Sequence, residues 1–377
     1  MNPHRAVVLL AMLAFVVPTA GRFVFTPILP LMQSDFGVSI VAAGWLAAAN
    51  HLGYLAGALT AVRFPVSERT TIRVGLVGVT LSIAGMAAVT GVEAWFALRA
   101  IAGIAAAWLL VHTSAWGLRH AAAAQRPEWS AYVFAGAGIG IIATGLLCAF
   151  WTLAGGGAMG AWLANGLLLA AFALAVWTRA GDAGMHAPVA VAQARAASTP
   201  GIARLILAYG LCGFGYVTAA TFLPVLARSV LGDDGGYVWF WPLFGVAGTV
   251  SIFLGARAGG RFGDIATFRF CAALMAIGNA AMALLSAGGA LAFGTVAIGG
   301  TFMVVTMLGL REARKRAPTS ATRVIGRMTI AWAMGQCIGP VVSAYLAGAR
   351  ESFSLALWVA ATALALATAV TPRKLQA

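Results

Sequence analysis

Apolar runs long enough to cross a bilayer follow one another along almost the whole chain, separated by short basic or Gly/Pro-rich breaks. A transmembrane helix needs about 20 predominantly apolar residues. Twelve runs meet that length: 6–32, 39–62, 71–91, 94–118, 130–153, 158–178, 202–227, 237–256, 268–287, 290–310, 324–348 and 352–371. Only 9% of the 377 residues are charged and 61% are hydrophobic, whereas a soluble domain carries about 25% charged residues. The pattern predicts an all-α polytopic membrane protein with twelve transmembrane helices. The opening "MNPHRAVVLLAMLAFVVPTAG" has the layout of a signal peptide. Its apolar run continues to Met32, however, and has a counterpart in the second half, so it reads as the first span.

The longest break, 179–201, divides the chain into an N-terminal six-helix bundle (1–178), a cytoplasmic linker (179–201) and a C-terminal six-helix bundle (202–377). The halves repeat. A shift of 194 sets "GRFVFTPILP" (21–30) over "GYVTAATFLP" (215–224), and a shift of 199 sets "GAGIGIIATGLL" (136–147) over "GQCIGPVVSAYL" (335–346). With the N-terminus inside, 20 of the 24 basic residues fall in cytoplasmic segments; Arg228 and Arg350 fall outside, and Arg22 and Arg99 remain in the membrane. This asymmetry fixes both termini as cytoplasmic. The net charge of +14 is thus orientation, and nucleic acid is excluded as a partner. Cys148, Cys212, Cys271 and Cys337 lie inside apolar runs without metal or disulfide spacing, so they read as small core residues.

Twelve spans in two repeated halves resemble the major facilitator superfamily. Within it, "GRFVFTPILPLMQ" (21–33), "GGTFMVVTMLGL" (299–310) and "GQCIGP" (335–340) are similar to the YbfB/YjiJ-type branch. "RAIAG" (99–103) resembles the fourth-helix signature, whose arginine the family implicates in substrate or proton coupling. "GAGIGIIATG" (136–145) is similar to the glycine-rich fifth-helix signature, with Ile141 where proline is usual. The loop signature after helix 2 is nearly lost in "GALTAVRFPVSER" (57–69), and its copy after helix 8, "GARAGGRFGD" (255–264), has Gly260 in the acidic position. The resemblance implies two pseudo-symmetric bundles, a bacterial inner-membrane location, and a cavity lined by helices 1, 2, 4, 5, 7, 8, 10 and 11.

All ten acidic residues fall in loops or at helix ends, which disfavours export of cations through a buried carboxylate. Arg22 lies near the middle of the first span, and Arg99 about 9 Å below the outer end of the fourth at 1.5 Å per residue. A guanidinium in the membrane is costly and binds carboxylate or phosphate bidentately, so the pair reads as an anion site. The alternative is that one of them bonds backbone carbonyls at a helix break or snorkels outward. Pro27 and Pro30 free such carbonyls in the outer part of helix 1; Pro224 repeats the device in helix 7, and Pro340 lies in helix 11. These prolines are the candidate gating bends, although plain packing tolerates them equally.

Asn50, His51 and Tyr54 in helix 2, Tyr216 in helix 7, and Trp332 and Gln336 in helix 11 complete the candidate substrate-binding residues. Thr329, Trp332, Gln336 and Ser343 share one helix face. His112 reads as structural, and Trp239 and Trp241 as interface-belt residues.

These features predict a monomeric secondary transporter, not an enzyme, that moves a small organic anion by alternating access and needs no cofactor or metal. Coupling is left open between protons, carried by His51 or by the substrate itself, and exchange of one anion for another. The rival reading is efflux of neutral hydrophobic compounds, with the arginines structural. Reporter fusions at Gly156 and Gly184 are expected to report opposite sides of the membrane; the same side for both contradicts the charge argument.

Overall fold

The computed structural model describes residues 3–61, 66–126, 129–181, 201–285, 287–318, 320–350 and 352–372. The central part of the linker expected at 179–201 lies outside them, as do Arg63, Arg373 and Lys374. The described residues form thirteen α-helices and no strand: α1 (Pro3–Phe23), α2 (Phe25–Phe36), α3 (Ile40–Thr60), α4 (Glu68–Gly85), α5 (Val92–Ala123), α6 (Ser130–Leu153), α7 (Ala158–Trp177), α8 (Ile202–Leu231), α9 (Phe240–Phe262), α10 (Asp264–Leu284), α11 (Gly288–Arg316), α12 (Ala321–Arg350) and α13 (Ser354–Val370). A 3-10 turn, Gly236–Trp239, precedes α9.

Among the described residues, nine helical segments are long and apolar enough to cross a membrane; the first is α1 with α2, Pro3–Phe36. Helices α3, α4 and α13 fall outside that set. Asn50 and His51 interrupt the middle of α3, α4 opens on Glu68 and Arg69, and α13 has 17 residues. Two compact units divide the chain, one comprising Met1–Val189 with Asp233–Gly245, the other Ala190–Gly232 with Val246–Ala377.

Local signals place the first helix ends. Gly37 ends α2 at φ +62°, where its N–H donates to the Gln33 carbonyl and that of Val38 to Met32, a left-handed cap that glycine adopts without strain. Two residues on, the Ser39 hydroxyl accepts from Ala42 N at 3.1 Å and starts α3. Asp35 reaches further, its carboxylate accepting from Ala158 N at 2.6 Å at the start of α7. There it meets the positive end of the helix.

Packing within each unit depends on glycine, as expected where lipid supplies no hydrophobic drive and backbones must approach closely. In the first unit a Cβ on Gly53 would lie 2.0 Å from the Ala100 carbonyl, and one on Gly103 2.1 Å from that of Asn50. These two glycines press α3 and α5 together. Gly136 and Gly140 of α6 sit against the backbone of α1 at Met12 and Val16. In the second unit Gly335 and Gly339 of α12 sit against the backbone of α8 at Gly210 and Phe214. The repeat read at a shift of 199 is therefore one packing device used twice.

Charges collect at helix ends. Glu68, on the first residue of α4, is buried and receives Arg119 at 2.6 Å. Asp264, on the first residue of α10, is buried and receives Lys315 at 2.6 Å and Arg311 at 3.4 Å. Glu312 pairs with Arg316 one turn along α11. Arginines also bond helix C-termini: Arg73 of α4 donates to the Trp177 carbonyl at 3.0 Å and Arg69 to Gly181 at 3.3 Å, at the end of α7. At the end of α13, Arg269 donates to Thr371 at 3.1 Å and Arg204 to Val370 at 2.9 Å.

Replacing Gly103 by valine is expected to cost about 1–3 kcal/mol through overpacking, read as a fall in melting temperature. Gly260→Ala meets nothing within 4 Å and sits inside α9, so it should be neutral or stabilising.

Candidate functional site

The apolar course of the first span breaks at Val24, three residues before Pro27, which has no N–H to offer the preceding turn. Val24 keeps helical angles (φ −62°, ψ −24°), so the chain runs on while its bonding is interrupted. Arg99 of α5 reaches this break. Its guanidinium donates to the carbonyls of Gly21, Arg22 and, on α3, Leu46, each at 3.3 Å. It also lies 4.9 Å from the Phe25 ring centroid. Arg99 is only 2% exposed, so these carbonyls replace its lost water. The Asn50 amide then donates to the Arg99 carbonyl at 3.1 Å. The close approach at Gly53 and Gly103 makes this possible, because it brings the α3 and α5 backbones into direct contact.

Arg22 is placed differently. It is half-buried, with its guanidinium carbon 4.0 Å from the Tyr54 ring centroid and 5.6 Å from that of Phe23. One of its nitrogens lies 3.5 Å from Nδ1 of His51, the outer limit of a hydrogen bond. A guanidinium over a ring face is held by the ring quadrupole, worth about 0.5–2 kcal/mol depending on desolvation. Arg22, Arg99, Asn50, His51 and Tyr54, read separately from the sequence, thus form one cluster on α1, α3 and α5. Both Pro27 and Pro30 are buried in α2 beside it.

The second unit gathers the remaining candidates. Tyr216 of α8 is stacked on Phe302 of α11 (5.2 Å, 11°) and on Trp332 of α12 (5.1 Å, 23°). Tyr209 lies 4.8 Å from Trp332, and the Gln336 amide donates to the Tyr216 hydroxyl. Ser343 bonds Thr218 at 3.1 Å. The shared face of α12 therefore packs on α8, with Gly213 and Gly335 allowing the approach. Pro224 and Pro340 are buried inside α8 and α12, which both run unbroken through them.

Three positions differ from the sequence reading or were missed by it. Trp241 is not at an interface but fully buried, stacked on Phe244 at 5.1 Å and 6.2 Å from Phe23. Phe25 and Phe302 complete the two clusters, yet a lone aromatic in an apolar run carries no signal that separates it from its neighbours. His112 bonds the Ala61 carbonyl at 3.0 Å, at the end of α3.

A family model described as an uncharacterised MFS-type transporter, YbfB, matches residues 16–372. A search of curated proteins gives no match. Among solved structures the chain is similar to a mutant form of the nucleoside transporter NupG, with TM-score 0.75 at 13% identity, over 97% of this chain and 98% of that one. It is also similar to the xylose transporter XylE from E. coli in a partially occluded inward-open conformation (TM-score 0.73, 14% identity, 98% and 97% covered). A bacterial homologue of the human lysosomal transporter Spinster gives TM-score 0.73 at 13% identity, with 98% of each chain covered. At such identities these likenesses establish the fold, and the family model supplies the rest: the chain belongs to the YbfB-like family of major facilitator transporters.

Proposed function

We propose that this transporter carries a small organic anion across the inner membrane by alternating access, through twelve spans with both termini cytoplasmic. The observation that carries the reading is the contrast between the two membrane arginines. Arg99 is buried and spends its donors on carbonyls at the α1 break. Arg22 is half-exposed and rests on the face of Tyr54, from which a carboxylate can draw it, since a charge-assisted bidentate pair is stronger than a ring contact. Arg99 thus holds the break, and Arg22 receives the anion.

His51 supports proton coupling in the same cluster. With its Nδ1 turned to Arg22, the imidazole accepts there and is neutral. An anion that engages Arg22 frees that nitrogen to take a proton, so anion and proton arrive together. The second reading, efflux of neutral hydrophobic compounds, draws on the same bonds of Arg99. In these bonds one membrane arginine takes its hydrogen-bond acceptors from the backbone, and the reading extends this to both.

Carboxylates from a panel of organic acids are expected to raise the melting temperature of the purified protein, because a ligand that binds only the folded state stabilises it. Lipophilic cations and neutral hydrophobic compounds should not. Stabilisation by the neutral compounds alone favours the second reading.

Two substitutions separate the arginines. Arg22→Lys keeps the charge but loses the planar fork, and should weaken binding of the stabilising acid severalfold. Arg22→Gln should weaken it further with the fold intact, and unchanged affinity there defeats the anion site. Arg99→Leu removes three charge-assisted bonds and leaves carbonyls unsatisfied in the span. It should therefore lower stability by about 2–4 kcal/mol, a loss that Arg22→Gln should not share.

A further inference from the structure

Far from this cluster, the first turn of α1 meets the last turn of α5 through two histidines. Nδ1 of His4 lies 3.1 Å from Nδ1 of His120, with ring centroids 5.3 Å apart and planes tilted by 49°. Both are half-buried, within reach of water. The pair is held from behind. Trp116, buried one turn earlier on α5, presents its edge to His120 at 6.5 Å. A Cβ on Gly117 would meet Ala11 at 2.9 Å and Val133 at 2.6 Å, so the two helices approach closely just inside the pair. Rings placed by rigid neighbours on two helices, 116 residues apart in sequence, form a fixed pair of donors.

In the metal-free protein the pair is a hydrogen bond, one Nδ1–H donating to the Nδ1 of the other ring. Moving that proton to Nε2 turns both lone pairs into the gap, where a cation can take the proton's place. Metal–imidazole bonds of about 2.0–2.1 Å, opened by 90–110°, put adjacent ligand nitrogens roughly 2.9–3.4 Å apart. The observed 3.1 Å falls in that interval. Imidazole suits Zn²⁺, Ni²⁺ and Cu²⁺, with Cu²⁺ the tightest, and does not suit Mg²⁺.

We propose that His4 and His120 form a two-imidazole site for a borderline transition-metal ion such as Cu²⁺ or Zn²⁺. The ion ties the start of α1 to the end of α5. Among the described residues no group of three or more His, Cys, Asp or Glu gathers, so the proposed ligands are the two imidazoles, fewer than the four of a closed structural zinc. Arg5 and Arg119 flank the histidines in sequence, and Glu68 meets the charge of Arg119 at 2.6 Å.

The test uses the full-length protein in detergent with any purification tag removed. Equilibrium dialysis should give one Cu²⁺ or Zn²⁺ per chain, with a rise in melting temperature that Mg²⁺ does not produce. His4→Ala and His120→Ala should each abolish both effects and leave the metal-free melting temperature within a few degrees. Wild-type protein that takes up no ion, or single variants that keep it, overturns the proposal; a pair that merely shares a proton gives the first of these results. Should a variant fail to fold, the electron paramagnetic resonance spectrum of the Cu²⁺-loaded wild type decides. Coupling to two imidazole nitrogens supports the site, and coupling to one or none defeats it.

Discussion

The first unit depends on one buried cation. A guanidinium with 2% exposure has to find donors' partners from the protein itself or forfeit several kcal/mol. Arg99 finds them where a proline-containing helix has loosened its own bonding. Each defect cures the other. The break at Val24 leaves the carbonyls of Gly21 and Arg22 to a side chain from α5, and the arginine is admitted to the membrane because those carbonyls are there. Position and orientation of Arg22 follow, because its own carbonyl is one of the three that Arg99 holds.

Such a bond demands that α3 and α5 lie closer than ordinary side chains permit, and Gly53 and Gly103 meet the demand. The conformational liberty of glycine is not what matters here. Both sit inside helices, and what they contribute is the absence of a Cβ. Asn50 can then donate its amide N–H to a carbonyl on the neighbouring helix, a polar side chain in an apolar helix held by the backbone across from it.

Much of this was legible in the residues. Apolar runs separated by basic or Gly/Pro-rich breaks marked an all-helical chain, and the glycines at a shift of 199 marked two equivalent contacts. Arg22, Arg99, Asn50, His51 and Tyr54 stood out because each polar atom in an apolar run needs an explanation. What stayed hidden was that the arginine bonding the carbonyls beside the break is Arg99, from another helix. Both arginines have the same cost and the same donors, and only the packing of α5 on α1 separates them. The burial of Trp241 was hidden for a related reason: an indole suits a membrane interface and a packed core equally, and its neighbour Trp239, 43% exposed, has the same local sequence.

The arginines that bond the last carbonyls of α7 and α13 carry a further consequence. Arg73 and Arg69 reach from α4, and Arg269 from α10 together with Arg204 from α8. Each closing helix is thereby fastened by helices of its own half, at its final turn, through backbone atoms that every sequence supplies. A substitution at Trp177, Val370 or Thr371 thus leaves these acceptors in place, and the fastening outlasts a change of the side chain there.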